Sequence, residues 1–176
     1  MRCNLETGAP NLKNIFLISC FLPSDKITFH VNLSFSLTIS PLAIWPDEIL
    51  IPIFNDWKSL FKLLENIDLQ LHGWDADVSV IIINDASSEK KPENKLKFNN
   101  LSSIKIINMK LNKGHARCIA AGLKYINDNE DFDFVIPMDG DGEDRPSEIG
   151  PILCKAYDNP GRVITGNRVQ RSEGFF

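Results

Sequence analysis

FVIPMDGDGEDRP, residues 134–146, is the stretch from which the rest of the chain can be read. A strand is expected over Phe132 to Met138, and its apolar run from Phe134 ends abruptly in Asp139, Asp141, Glu143 and Asp144. Carboxylates packed that closely repel one another unless protons or a cation neutralise them. Asp139, Asp141 and Glu143 stand at alternate positions and can converge as oxygen ligands for Mg²⁺ or Mn²⁺, hard cations that also bridge substrate phosphates. Gly140 and Gly142 let the backbone turn tightly, and Pro146 suits the first turn of a following helix. The plain alternative is a solvated acidic turn in which Asp144 caps that helix. An EF-hand calcium loop is excluded, because its sixth position needs Gly where Asp144 stands and its twelfth needs Glu where Gly150 stands.

Working outward, the same unit of apolar strand, polar turn and helix recurs. EILIPIF, residues 48–54, ends in Asn55 and Asp56, and Trp57, Leu60, Phe61, Leu63, Leu64 and Ile67 follow at helical spacing. VSVIII, residues 78–83, is continuously apolar and β-branched, as a strand covered on both faces must be. Strands are further expected at 104–107 and 162–165, a helix at 116–126, and loop at 90–100. Strand and helix in alternation imply a mainly parallel, doubly wound α/β sheet, whose ligands sit beyond the carboxyl ends of the strands.

Three other strand ends carry polar groups. After 78–83 come Asn84, Asp85, Ala86, Ser87 and Ser88, where a carboxylate can accept from a base or ribose, or simply form an Asx turn. LNKGHARCIAAGL, residues 111–123, sets Gly114 before an Ala-rich helix, whose free N–H groups suit a diphosphate. Lone His115 is assigned no proton-transfer role. Gly166, Asn167 and Arg168 close the series, with an Arg able to grip phosphate oxygens in bidentate fashion.

The first 46 residues differ in character. Between Lys26 and Ser40 apolar and polar residues alternate strictly, a period-two pattern expected of a β-strand or bent hairpin and carrying no recognisable chemistry. The 19 basic residues against 23 acidic ones leave a net charge of −4, which lacks the basic stripe of a phosphate-backbone binder, so nucleic acid is set aside as a partner. Cysteines at 3, 20, 118 and 154 have neither CxxC nor zinc spacing and fit a reduced, cytoplasmic compartment. No run approaches the roughly 20 apolar residues of a membrane span.

Taken together and in this order, the segments from about Ile49 to Arg168 resemble the family 2 glycosyltransferases with the Rossmann-like GT-A fold. ILIPIFND is similar to that family's opening strand, with Pro52 and Asn55 at its usual proline and asparagine. INDASSE resembles its Asp-Asp-Gly-Ser segment, with Asn84 replacing the first Asp and Ala86 the Gly. NKGHARCIAAG resembles its Asn-x-Gly helix start, DGDGED its Asp-x-Asp element, and GNR its later Gly-x-Arg. The resemblance implies that Pro52, Asn55, Asp85, Asn112, Gly114, Asp139 and Arg168 line the nucleotide-sugar site. In it Asp85 reads base or ribose, and Arg168 clamps the diphosphate. It implies a metal set of Asp139, Asp141 and Glu143, although Glu143 stands where the polyprenyl-phosphate branch commonly has Gln.

The expected protein is therefore a metal-dependent, inverting transferase. It moves a sugar from a UDP- or GDP-linked donor to a polyprenyl phosphate or glycan. Residues 47–176 are read as the donor half of the domain, with the acceptor half, and any catalytic base, beyond Phe176. A lipid phosphate, already anionic, attacks without a base. Membrane contact, at the inner face, would come only from residues after the donor half. Two rivals remain at this point. A haloacid-dehalogenase-like phosphatase also places DxDG after a strand, but only 35 residues follow Asp141 here. The other is a nucleotide-binding fragment without turnover.

Overall fold

The computed structural model describes residues 15–16, 46–74, 77–93, 97–142, 144–159 and 161–166. Among the described residues five strands form one sheet: β1 (Ile15–Phe16), β2 (Pro46–Ile53), β3 (Asp77–Asn84), β4 (Ser103–Asn108) and β5 (Phe134–Pro137). Their order is β1-β5-β2-β3-β4, and every pairing is parallel. Three helices connect and cover them, α1 (Trp57–Gln70), α2 (His115–Asn129) and α3 (Ile149–Tyr157), the last entered through a 3₁₀ turn at Pro146–Glu148.

The unbroken apolar runs in β2 and β3 follow from this layering. Ile49, Ile51, Val80 and Ile82 face one side and pack with Leu60, Leu63, Leu64 and Ile67 of α1 and Ile152 and Leu153 of α3. The alternate residues Leu50, Ile81 and Ile83 face the other side, against Cys118 and Ile126 of α2. A strand with helices on both faces has no position left for a polar side chain except at its ends. Cys118 belongs to this packing: its thiol lies 3.3 Å from the Ile83 carbonyl, and burial, with the nearby Asp85 charge, pushes it up to about 11. Cys154 is only partly buried.

The sheet reverses its winding beside β2. From β2 the chain steps to β3 and β4 on one side, then returns to place β5 on the other. Doubly wound sheets bind ligands at such a switch point, where connections leave in opposite directions and open a crevice. Gly140 sits in it: a Cβ there would lie 2.8 Å from Ile53 Cγ2 and 2.9 Å from the Pro52 carbonyl oxygen. Pro52 is thus a wall of the strand end against which the acidic loop folds.

One expected strand is absent. Residues 162–165 are irregular, with Val163 exposed. A strand needs an open edge to satisfy its amides. The outer edge of β5, where it would add, is occupied by β1 through Ile15–Phe134 and Phe16–Val135. The alternating 26–40 segment lies outside the described residues.

At the opposite, amino end of the sheet, Asp47 and Glu48 are buried, and Asp47 Oδ1 and Glu48 Oε2 have no hydrogen-bond partner among the described residues. Burial, then the charge of Glu130, raises the Glu48 carboxyl to about 7; burial, then Asp133, raises Asp47 well above the usual range. A raised carboxyl holds its proton in the folded chain where the unfolded chain has lost it. Stability therefore falls as pH rises from about 4.5 to about 7. Calorimetric melting is expected to drop between pH 5 and pH 8. Glu48→Gln should flatten that drop and gain roughly 1–2 kcal/mol at pH 8, after discounting for solvent screening. A wild-type melting temperature that rises over this interval contradicts the assignment.

Candidate donor-binding site

Three strand ends meet at the switch point, and each carries one of the expected motifs. Asn55, just after β2, adopts a left-handed backbone at φ 56°. Asn tolerates that region better than most residues. Its amide donates to Ser87 Oγ at 2.8 Å, its Nδ2 donates to Ser88 Oγ at 3.0 Å, and its Oδ1 accepts from the Glu89 amide at 3.0 Å. The Trp57 indole adds a bond to the Glu89 carbonyl at 3.1 Å. Asn55 therefore ties the β2 turn to the loop after β3. Asp56 caps α1 by accepting from the Ser59 amide at 3.2 Å.

In that loop Asn84 accepts from the Ser87 amide at 3.0 Å and donates to Asn108 Oδ1 at 2.8 Å. Ala86 stands at φ 57°, the left-handed region that explains a glycine at the corresponding place in the family pattern. Asp85 is 3% exposed. Its Oδ1 accepts from the Lys113 amide and its Oδ2 from the Gly114 amide, both at 2.8 Å. Gly114, at φ 83°, is the N-cap of α2 and has no side chain to cap the helix itself. Asp85 supplies the missing acceptors from another strand, and its charge suits a helix start. Asn112, Lys113 and Gly114 are exposed beside it.

The acidic loop leaves β5 with Asp139 half-exposed and Asp141 exposed. Asp144 folds back inward, accepting the Asp139 amide at 2.6 Å through Oδ2, so it braces the loop and caps no helix. Its Oδ1 is buried without a hydrogen-bond partner among the described residues. Burial, with Asp139 and Asp141 nearby, raises its carboxyl to about 8. Excess negative charge with an unanswered buried oxygen is what a divalent cation would offset, and two carboxylates with substrate phosphates and water satisfy Mg²⁺. The residues present fit such an ion, although no three His, Cys, Asp or Glu residues converge on a single point among the described ones. Glu143, the third expected ligand, and Arg168 lie outside the described residues.

His115 was not legible as a site residue. As the first residue of α2, it places Nε2 at 3.3 Å from Asp139 Oδ1. The helix start and the acidic loop are thus neighbours although 24 residues apart in sequence. Beside the loop, a cleft of about 430 Å³ opens toward α1, lined by Lys62, Asn66, Asp141, Asp144 and Arg145 among others.

An undecaprenyl-phosphate 4-deoxy-4-formamido-L-arabinose transferase of Photorhabdus laumondii is 28% identical over 130 residues, covering 73% of this chain and 38% of that protein. The transferase of the same name from Salmonella choleraesuis is 25% identical over the same shares. An uncharacterized protein of Methanocaldococcus jannaschii is 25% identical over 121 residues, 68% of this chain and 50% of that one. The chain thus spans half or less of the length of these relatives. The family model described as glycosyl transferase family 2 matches residues 48–176, from within β2 through α3, and the chain belongs to that family.

Proposed function

We propose that the protein binds a nucleotide sugar and, as part of a transferase, passes the sugar to a polyprenyl phosphate. The observation that carries this is the meeting of the Asn55 turn, the Asp85-held helix start and the Asp139–Asp144 loop at one switch point. The polyprenyl-phosphate acceptor rests on the names of the Photorhabdus and Salmonella relatives, both undecaprenyl-phosphate transferases. A phosphatase of the haloacid dehalogenase type loses its support, since the family match covers the DGDG segment together with the strands that precede it.

Asp139 and Asp141 would hold Mg²⁺ or Mn²⁺, whose positive charge would stabilise the departing nucleoside diphosphate. A phosphate oxygen of the acceptor attacks the anomeric carbon as the bond to the diphosphate oxygen breaks, inverting that carbon. The acceptor being anionic, no side chain is needed to remove a proton. The loop's backbone is braced by Asp144 before any ligand arrives, so little reorganisation accompanies binding. Among the described residues no helix is long and apolar enough to cross a membrane. We place the protein at the cytoplasmic face of the membrane, meeting its lipid acceptor peripherally.

Calorimetry tests the donor half. Mn²⁺ should strengthen UDP or GDP binding by about tenfold or more, and Asp141→Asn should remove that gain. Equal nucleotide affinity with and without metal would falsify the reading. Turnover of nucleotide sugars against a short polyprenyl phosphate separates a working transferase from a fragment that only binds.

A further inference from the structure

The loop between β4 and α2 differs in charge from the rest of the chain. The whole chain carries −4, yet no acidic residue stands between Glu93 and Asp128. Two cations of that stretch, Lys105 and Lys124, are paired with Glu130 and Asp128. Lys110, Lys113 and Arg117 are exposed and have no ion-pair partner among the described residues. Leu111 stands among them with 63% of its surface exposed. We infer that this loop docks the donor half onto an anionic lipid bilayer, with the three cations at the headgroup phosphates and Leu111 inserted beside them. The inference rests on the lipid-phosphate acceptor proposed above and names the surface that meets the membrane.

One exposed leucine needs no explanation by itself. Here the backbone is held on both sides of it. The Met109 amide donates to the Asn84 carbonyl at 2.9 Å and the Lys113 amide to Asp85 Oδ1 at 2.8 Å, so Lys110 and Leu111 stand on a loop pinned at both ends. A loop already ordered loses little conformational freedom on docking. Arg117 lies in the first turn of α2, where the helix dipole favours an acid, and that turn contains none. A positive charge held there against the dipole matches the negative potential of an anionic membrane surface. Orientation agrees with charge. The loop follows the carboxyl end of β4 as Asp139 follows that of β5, and the two strands run in the same direction. A polyprenyl phosphate presents its phosphate at headgroup level, so the end of the sheet that bears Asp139 has to face the bilayer, and this loop faces it as well. Membrane contact therefore begins within the donor half, where the sequence reading had placed it only beyond.

Co-sedimentation of the full chain with lipid vesicles tests the surface. Vesicles of phosphatidylcholine with one third phosphatidylglycerol should bind the chain about tenfold or more tighter than pure phosphatidylcholine at low salt, and the difference should shrink as salt rises to about 0.5 M. Lys110→Gln combined with Arg117→Gln should weaken binding to the anionic vesicles by about thirtyfold. Leu111→Ser should weaken it by about tenfold and leave the salt dependence unchanged. All three side chains are exposed, so the variants should keep the wild-type circular dichroism. UDP affinity in the presence of Mn²⁺ should also stay at the wild-type value. A wild-type chain that binds neither kind of vesicle, or binds both equally, overturns the inference, and so do variants that bind anionic vesicles as the wild type does. Loss of UDP affinity in the Lys110 and Arg117 variant overturns it too, by giving those cations to the donor phosphates. A wild-type chain that docks on anionic vesicles but binds no nucleotide with Mn²⁺ supports the surface and sinks the proposed function, so the two fail separately.

Discussion

Asp139→Ala is expected to lower sugar transfer about a thousandfold, or about 4 kcal/mol of transition-state stabilisation. Departure of a nucleoside diphosphate develops charge on a bridging oxygen, and a cation beside it is the dominant way to lower that energy. Asp139 offers a carboxylate at the mouth of the switch point, anchored by its backbone to Asp144 and touched by His115 at 3.3 Å. Truncation removes one of two described ligand candidates. It leaves the fold intact, because the side chain is half-exposed and outside the apolar core. The loss should fall on kcat and on Mn²⁺ dependence together, and excess Mn²⁺ should recover part of it. A contrast comes from Asp144→Asn, which keeps an oxygen for the Asp139 amide and should retain activity within about tenfold. Steady-state rates across a Mn²⁺ series check both. Unaltered Mn²⁺ dependence in Asp139→Ala would mean that the metal, if used, is held elsewhere.

The contrast between those two aspartates marks the boundary of what periodicity and motif spacing can reveal. The strands at 78–83 and 104–107 and the helices beginning near Trp57 and Ala116 were readable because apolar spacing reports which face is buried, and burial is what these elements share. The acidic loop was readable because repulsion among adjacent carboxylates demands an explanation wherever it occurs. The partner of Asp85 was not. Its oxygens bind amides 28 and 29 residues away, and a backbone amide carries no residue-type signal. His115 was passed over for the same reason, since only the crossing of α2 over the sheet brings it to Asp139. The plain alternative made Asp144 a helix cap, yet it folds inward to brace Asp139 through that residue's amide. The missing strand at 162–165 shows the reverse failure. Its β-branched residues are suitable, but the edge it needed is occupied by β1.

Gly122→Val should be the most destabilising substitution in the described core, costing about 3–4 kcal/mol out of a total that in domains of this kind is about 5–15. Gly122 is buried on the face of α2 that lies against the sheet. A Cβ built there overlaps Leu50 Cδ1, lies 2.9 Å from Ile83 Cγ1 and 3.0 Å from Leu50 Cδ2. Neither neighbour can retreat, because Leu50 and Ile83 are themselves fully enclosed in the layer under α2. Two effects oppose each other at this position. Replacing a mid-helix glycine by alanine favours the helix by about 1 kcal/mol, so Gly122→Ala should lose only part of the overlap cost. Valine adds two more methyl groups and, being β-branched, little helix preference, so overlap wins outright. The damage should also reach the site, since α2 can relieve the clash only by lifting from the sheet, carrying Gly114 away from Asp85 and His115 from Asp139. Urea unfolding should show a lower midpoint with an unchanged slope, and nucleotide-dependent Mn²⁺ binding should weaken while the variant is still folded. Wild-type stability in Gly122→Val would mean that α2 does not rest on β2 and β3 through this residue.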